Sequence, residues 1–161
     1  MDRIWKPNVT VASIIERDGR FLLVEEETDD GIRFNQPAGH LDEGESLVDA
    51  AAREALEETA HRFLPEYLVG IYQWRRPDGK ATYLRFAFGG RLLGVEAERA
   101  LDHGILRALW LTPEEIAAEH ARHRPCGRRG ALRADVTGRS MSLPCLFIVL
   151  PSYSGRNQNW K

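Results

Sequence analysis

The chain has 161 residues, with 22 Lys and Arg against 24 Asp and Glu for a formal net charge of −2, and it is 43% hydrophobic and 29% charged. That length suits one domain with a substantial core, and the composition excludes disordered, collagen-like and disulfide-stapled classes. Residues 143–150 form the longest apolar run, short of the roughly 18–20 residues of a bilayer span; the opening MDRIWKP has no apolar signal stretch, and Cys126 and Cys145 suit reduced thiols in a cytoplasmic protein.

The near-neutral total hides a segregation. Residues 1–119 hold 14 basic and 23 acidic residues, whereas residues 120–161 hold 8 basic and 1 acidic. The total argues against a general nucleic-acid binder. The basic C-terminal stretch steers phosphorylated substrates, meets another subunit, or simply pairs its arginines with the acidic body.

Residues 8–16 (NVTVASIIE) and 21–26 (FLLVEE) are rich in Val, Ile, Leu and Phe, and the RDGR between them predicts a hairpin. A short strand over 32–35 ends at Gln36-Pro37-Ala38-Gly39, where proline cannot donate to a ladder and glycine permits a tight course. A helix follows, capped by Ser46 with Asp49 three residues on and running through an Ala-rich stretch to Thr59. Residues 67–74 and 82–89, separated by Arg76-Pro77-Asp78-Gly79, predict a second hairpin, and 106–111 a further strand. Thr112 and Pro113 open another helix as cap and first helical residue. A short helix over 128–136, weakened by Gly127, Gly130 and Gly138, and a mobile end over 152–161 complete the chain. Strands flanked by a few helices predict an α/β class with a mixed sheet covered on both faces.

The helix beginning at Ser46 carries the chemistry. At about 100° per residue, Val48, Ala52, Ala55, Leu56 and Thr59 share one side and predict the core face. Leu47, Ala50, Glu54, Glu57 and Glu58 fall opposite, so three carboxylates at i, i+3 and i+4 repel one another. Such a cluster is either a solvated acidic face or a cation site. Gly39 and Gly44 in the preceding loop can bring main-chain carbonyls near it, and Arg53, able to pair with Glu45 or Glu57, is the one local cation. The oxygen donors suit a hard divalent ion, Mg²⁺ or Mn²⁺, that shares its ligands with substrate phosphates and activates water.

Gly39, five residues, Glu45, seven residues, Arg53-Glu54, two residues and Glu57-Glu58 reproduce a known spacing: the segment resembles the signature of the Nudix hydrolases. Six fixed positions match, an accident on the order of one in ten million at a given start. The family pattern has a glycine where Ala60 stands and an apolar residue where His61 stands. An alanine in that left-handed cap either costs roughly 1 kcal/mol or lengthens the helix.

The resemblance implies an α/β/α sandwich around a mixed sheet, with a loop-helix-loop metal site. It implies Glu54, Glu57, Glu58 and the Gly39 carbonyl as Mg²⁺ ligands, Glu54 or Glu57 as the catalytic base, and Glu45 with Arg53 as a structural ion pair. An extra carboxylate outside the box is implied as well, with Asp102, Glu98 and Glu96 as candidates.

Over about residues 7–116 the runs NVTVASII, FLLVEEET, FNQPAGHLDEGESL, YQW and TYLRFAF are similar to the NudJ-type phosphatase branch. That likeness implies release of orthophosphate from nucleoside di- and triphosphates, hydroxymethylpyrimidine pyrophosphate and thiamine pyrophosphate. Gln36 can hydrogen-bond a base edge, and Tyr72 and Trp74 share a strand face with Tyr83 opposite, where they either stack on a base or pack the sheet. Arg85 meets a phosphate or lies on the surface; His40 reads as a loop surface residue, and His103, His120 and His123 lack ligand spacing. The expected partner is a small-molecule diphosphate bound by a monomer or homodimer. Two other functions stay open: a sanitiser releasing pyrophosphate from nucleoside triphosphates, and a non-catalytic module binding nucleotide or RNA.

Overall fold

The computed structural model describes residues 4–123 and 132–134. In chain order they form β1 (Asn8–Ile14), β2 (Glu16–Arg17), β3 (Arg20–Thr28), β4 (Gly31–Asn35), β5 (Ala38–His40), α1 (Leu47–Thr59), β6 (His61–Arg75), β7 (Thr82–Val95), β8 (Ile105–Leu111), α2 (Pro113–Ala118), a 3-10 turn (His120–Arg122) and β9 (Leu132–Ala134). The class is α/β, as the alternation of elements predicts. The strands divide between two sheets. The larger is mixed and runs β5-β1-β7-β6-β9, with β1 parallel to β7 and the other pairs antiparallel. The smaller joins β2, β3 and β4, with β8 also paired to β3.

The first predicted hairpin is corrected. Val11 and Ala12 are fully buried, as is Ser13, so β1 needs neighbours on both edges and takes β5 and β7 rather than β3. Only residues 16–17 turn back onto β3, through Asp18 and Gly19 at φ 53° and 74°, backbone values suited to a tight hairpin turn. The chain therefore crosses between sheets at Ile15, whose carbonyl accepts from Leu22 N at 2.9 Å. The second hairpin forms as predicted and runs further at its open end, as β6 and β7.

α1 begins where predicted, the Ser46 hydroxyl accepting from Asp49 N at 3.1 Å. Its buried face differs from the helical-wheel reading. Ala50, Ala51, Glu54, Ala55, Glu58 and Thr59 are buried, whereas Val48 is 44% exposed. Bulk decides this, because alanines let the helix approach Val11 and Phe88 closely and let Ser13 Oγ donate to Ala51 O at 3.0 Å. Two of the three carboxylates thereby lie on the side turned toward the sheet. α2 carries the full capping box, Thr112 and Glu115 each bonding the other's backbone N–H.

Leu132–Ala134 pairs with Ile71–Gln73 on the edge of β6, so these residues are strand and not helix; an open edge offers backbone partners that a glycine-interrupted helix lacks. The rest of that predicted helix, both cysteines, the apolar run 143–150 and the end 152–161 lie outside the described residues.

Where the family pattern has glycine, Ala60 adopts the left-handed conformation, φ 57° and ψ 17°, and its N–H bonds Leu56 O at 2.9 Å. The helix stops on time at a steric cost. Ala60→Gly is expected to raise stability by about 1 kcal/mol, read as a higher urea midpoint at unchanged slope. A midpoint that stays or falls would show that the alanine is unstrained.

Candidate active site

The loop before α1 is anchored from both sides. β5 lies antiparallel on β1, setting Ala38 beside Ala12, Gly39 beside Val11 and His40 beside Thr10, and Ser13 N donates to Pro37 O at 2.9 Å. α1 then brings its buried carboxylates onto this loop. Glu58 accepts from Ala38 N at 2.8 Å. Glu54 lies directly over Gly39: a Cβ there would stand 2.2 Å from its Cδ and Oε1. Close approach thus explains the glycine, since any side chain would displace the carboxylate.

Arg53 joins the loop to the helix. Its Nε donates to Glu45 Oε1 at 2.8 Å and its Nη2 to Glu45 Oε2 at 2.9 Å, the two-pronged geometry that best matches guanidinium to carboxylate. Nη2 also donates to His40 O at 3.0 Å, and Nη1 bridges Glu54 at 2.8 Å and Glu57 at 3.0 Å. Asp42 completes the group at 3.7 Å. Arg53 therefore pairs with both residues that the spacing offered it, and with Glu54 as well. These acids, Glu45 first, hold its proton more tightly than usual.

Burial dominates the titration of Glu54 and Glu58. Desolvation pushes Glu58 up to about 8, against the Ala38 N–H; the charges of Glu54 and Glu26 add to the rise and Arg85 opposes it. Desolvation also raises Glu54, with Arg53 opposing and Glu57 and Asp102 adding to the rise. Glu45, by contrast, is held low by Arg53.

The donor set fits a hard divalent cation in its chemistry: two buried carboxylates whose charged forms repel, a third beside them, and a glycine loop close enough to offer a carbonyl. In the conformation described, Glu54 and Glu57 are turned to Arg53, and among the described residues no three acidic, His or Cys side chains stand as a ready ligand group.

Asp102 is the outside carboxylate brought nearest. Its N–H donates to Glu57 O at 3.0 Å and its charge reaches Glu54. Glu96 instead pairs with Arg99 at 3.6 Å while its N–H donates to Ala60 O, and Glu98 is exposed.

β3 adds two carboxylates that were not among the candidates legible in the sequence. Glu26 is 8% exposed and its charge acts on Glu58, whereas Glu25, on the alternate face, is held below the usual carboxylate range by Arg107 and then Arg122. Three consecutive glutamates closing an apolar strand were the available signal. Arg122, which also sits 4.3 Å over the Phe34 ring, is the part of the basic C-terminal stretch seen pairing with the acidic body.

Gln36 is buried at the start of the loop. Across the mixed sheet, Tyr72 pairs with Arg85 and Trp74 with Tyr83, so these four residues share the face away from α1, and Trp74 stacks on Tyr83 at 5.5 Å. His40 is exposed but belongs to β5 rather than to a loop. His103 N–H donates to Asp102 Oδ1 at 2.9 Å, and His123 Nε2 lies 2.8 Å from Ile116 O.

A mixed sheet with a glycine loop and a carboxylate helix clamped by an internal arginine defines a hydrolase of the phosphate-anhydride class. Residues 5–129 match the NUDIX domain, and the chain belongs to that family: it is a Nudix hydrolase. It is 42% identical over 113 residues to phosphatase NudJ of Escherichia coli K12, covering 70% of this chain and 73% of that one. A Nudix hydrolase of known structure from Nitrosomonas europaea is 53% identical, with a TM-score of 0.71 over 74% of this chain and 81% of that one. A second from the same organism is 27% identical, with a TM-score of 0.55 over 71% and 62%. Nudix hydrolases generally use divalent metal ions. Among the described residues no helix is long and apolar enough to cross a membrane.

Two outcomes follow from this geometry. Gly39→Ala is expected to cost at least about 100-fold in turnover while the protein stays folded, because Glu54 must move; unchanged kinetics would show that its position is unimportant. Without divalent cations, the contribution of Glu58 to stability is full below pH 4.5 and is lost as pH rises toward about 8, since Glu58 ionises less readily folded than unfolded. Glu58→Gln keeps an acceptor for Ala38 N–H and should flatten that decline in melting temperature; an unchanged slope would place its cause elsewhere.

Proposed function

We propose that the protein is a cytoplasmic, single-domain, Mg²⁺-dependent phosphohydrolase. It cleaves the diphosphate of small organic compounds or nucleoside di- and triphosphates, among them hydroxymethylpyrimidine pyrophosphate and thiamine pyrophosphate, and releases orthophosphate. The observation that carries this reading is the Glu54–Gly39–Glu58 arrangement clamped by Arg53, in a chain similar to a NudJ phosphatase over 70% of its length.

Glu54, Glu57 and Glu58, with the Gly39 carbonyl, would hold the ion. When bound, Mg²⁺ neutralises diphosphate charge and eases deprotonation of water. The residues of the chain supply the remainder. Burial keeps Glu54 and Glu58 poorly solvated, so a cation and a charged substrate meet strong fields there. Glu54 and Glu57 are the two candidates to take the proton of the attacking water. Arg53 fixes both carboxylates and shares its charge with them, and it anchors the loop through Glu45 and His40 O. Asp102 is the further carboxylate able to orient water or ion. Arg85 faces the diphosphate and Gln36 and Trp74 take the organic group, whereas Tyr72, buried against Ala12, Ala38 and Ala87, packs the sheet beneath them.

Wild-type protein with Mg²⁺ is expected to release orthophosphate from thiamine pyrophosphate or nucleoside diphosphates, with Glu57→Gln slowing release by about 10³-fold or more. Separate detection of orthophosphate and pyrophosphate from a nucleoside triphosphate decides the product. Pyrophosphate would favour the sanitising reaction, and tight nucleotide binding without turnover would make the protein a sensor.

A further inference from the structure

The strand register assigns neighbours on the sheet face away from α1. One row across the strands reads His40, Thr10, Arg85 and Tyr72; the next reads Asn8, Tyr83 and Trp74. Trp74 and Tyr83 stack with their planes 25° apart, and the His40 ring stands 6.2 Å from Tyr83, tilted by 57°. These three rings come from β6, β7 and β5, and the His40 ring reaches Tyr83 past the short side chains of Asn8 and Thr10 on β1. They form a continuous aromatic strip whose last member is one residue from Gly39.

His40 joins that strip to the carboxylates. Its carbonyl accepts from Arg53 Nη2 at 3.0 Å, the guanidinium that also bonds Glu54 and Glu57. Leu41 N donates to Val9 O at 3.2 Å, fixing the backbone on its other side. The ring itself is exposed, while Tyr83 and Trp74 are half-buried. Among the described residues no acceptor meets the buried Trp74 Nε1–H.

We propose that His40 is a specificity-determining residue: it closes the aromatic strip at the diphosphate end and selects diphosphates whose organic group carries a planar heteroaromatic ring. Its main-chain bond to Arg53 fixes the distance between ring site and carboxylates. The ring of such a substrate lies against Trp74, Tyr83 and His40 while its diphosphate reaches the Gly39 loop. This rests on the proposed function for the site but concerns its ring preference.

Binding separates the two claims, because neither ligand below is turned over. Affinities of the full chain for α,β-methylene-ADP, which carries a heteroaromatic ring, and for methylenediphosphonate, which has none, are compared by calorimetry with Mg²⁺. Wild type is expected to prefer the former, and His40→Ala to shrink that preference about ten-fold. His40→Phe, which keeps a ring but no nitrogen, should retain most of it. Equal weakening of both ligands by His40→Ala would show a merely structural role, and an unchanged preference would show that the strip ends at Tyr83; either overturns the proposal. Should the preference behave as expected in a protein that hydrolyses no diphosphate, His40 keeps this role and the phosphohydrolase reading fails.

Discussion

Everything at this site hangs on one guanidinium. Arg53 is planar and permanently charged, with donors spread around its rim, and it meets Glu45, Glu54, Glu57, Asp42 and the carbonyl of His40. Each acid alone would repel its neighbours; together around Arg53 they become a frame. A lysine, with its single point charge, lacks the geometry to bridge these partners at once. The same residue ties the loop to the helix and neutralises part of the helix's acidity.

The second constraint is steric. Ala50, Ala51 and Ala55 draw α1 close to the mixed sheet, and Gly39 draws the loop onto Glu54. Closeness has an electrostatic consequence: Glu54 and Glu58 lose water and hold their protons more firmly than free carboxylates. Alternation along β3 adds to this by sending Glu26 toward Glu58 and Glu25 toward Arg107 and Arg122, two neighbouring residues with opposite electrostatic surroundings.

What could be read from the chain follows how local each feature is. The cap at Ser46, the capping box at Thr112 and the spacing from Gly39 to Glu58 are short-range patterns, and they are found where expected. The second hairpin was legible because its turn residues lie between its own strands. β1 was misread because its partners β5 and β7 come from later in the chain, and two-sided burial looks the same in either pairing. The buried face of α1 was misread because a helical wheel ranks residues by hydrophobicity, whereas this interface selects for small size. Glu25 and Glu26 gave little warning, since the arginines near the first and the helix near the second lie elsewhere in the sequence. Ala60 shows the opposite case: the departure from the family pattern was visible, but only the backbone decided between a strained cap and a longer helix.

The crossing at Ile15 gives the molecule a further property. β1 and β5 belong to one sheet and β3 to the other, so Gly39 and Glu26 stand on opposite sides of a seam that α1 spans. Ile15, Leu22, Ala55 and Phe63 fill that seam, with Trp110 packed against them. Ala55 sits next to Glu54 on α1, so the hydrocarbon that joins the two sheets is also the bed on which the carboxylate helix rests.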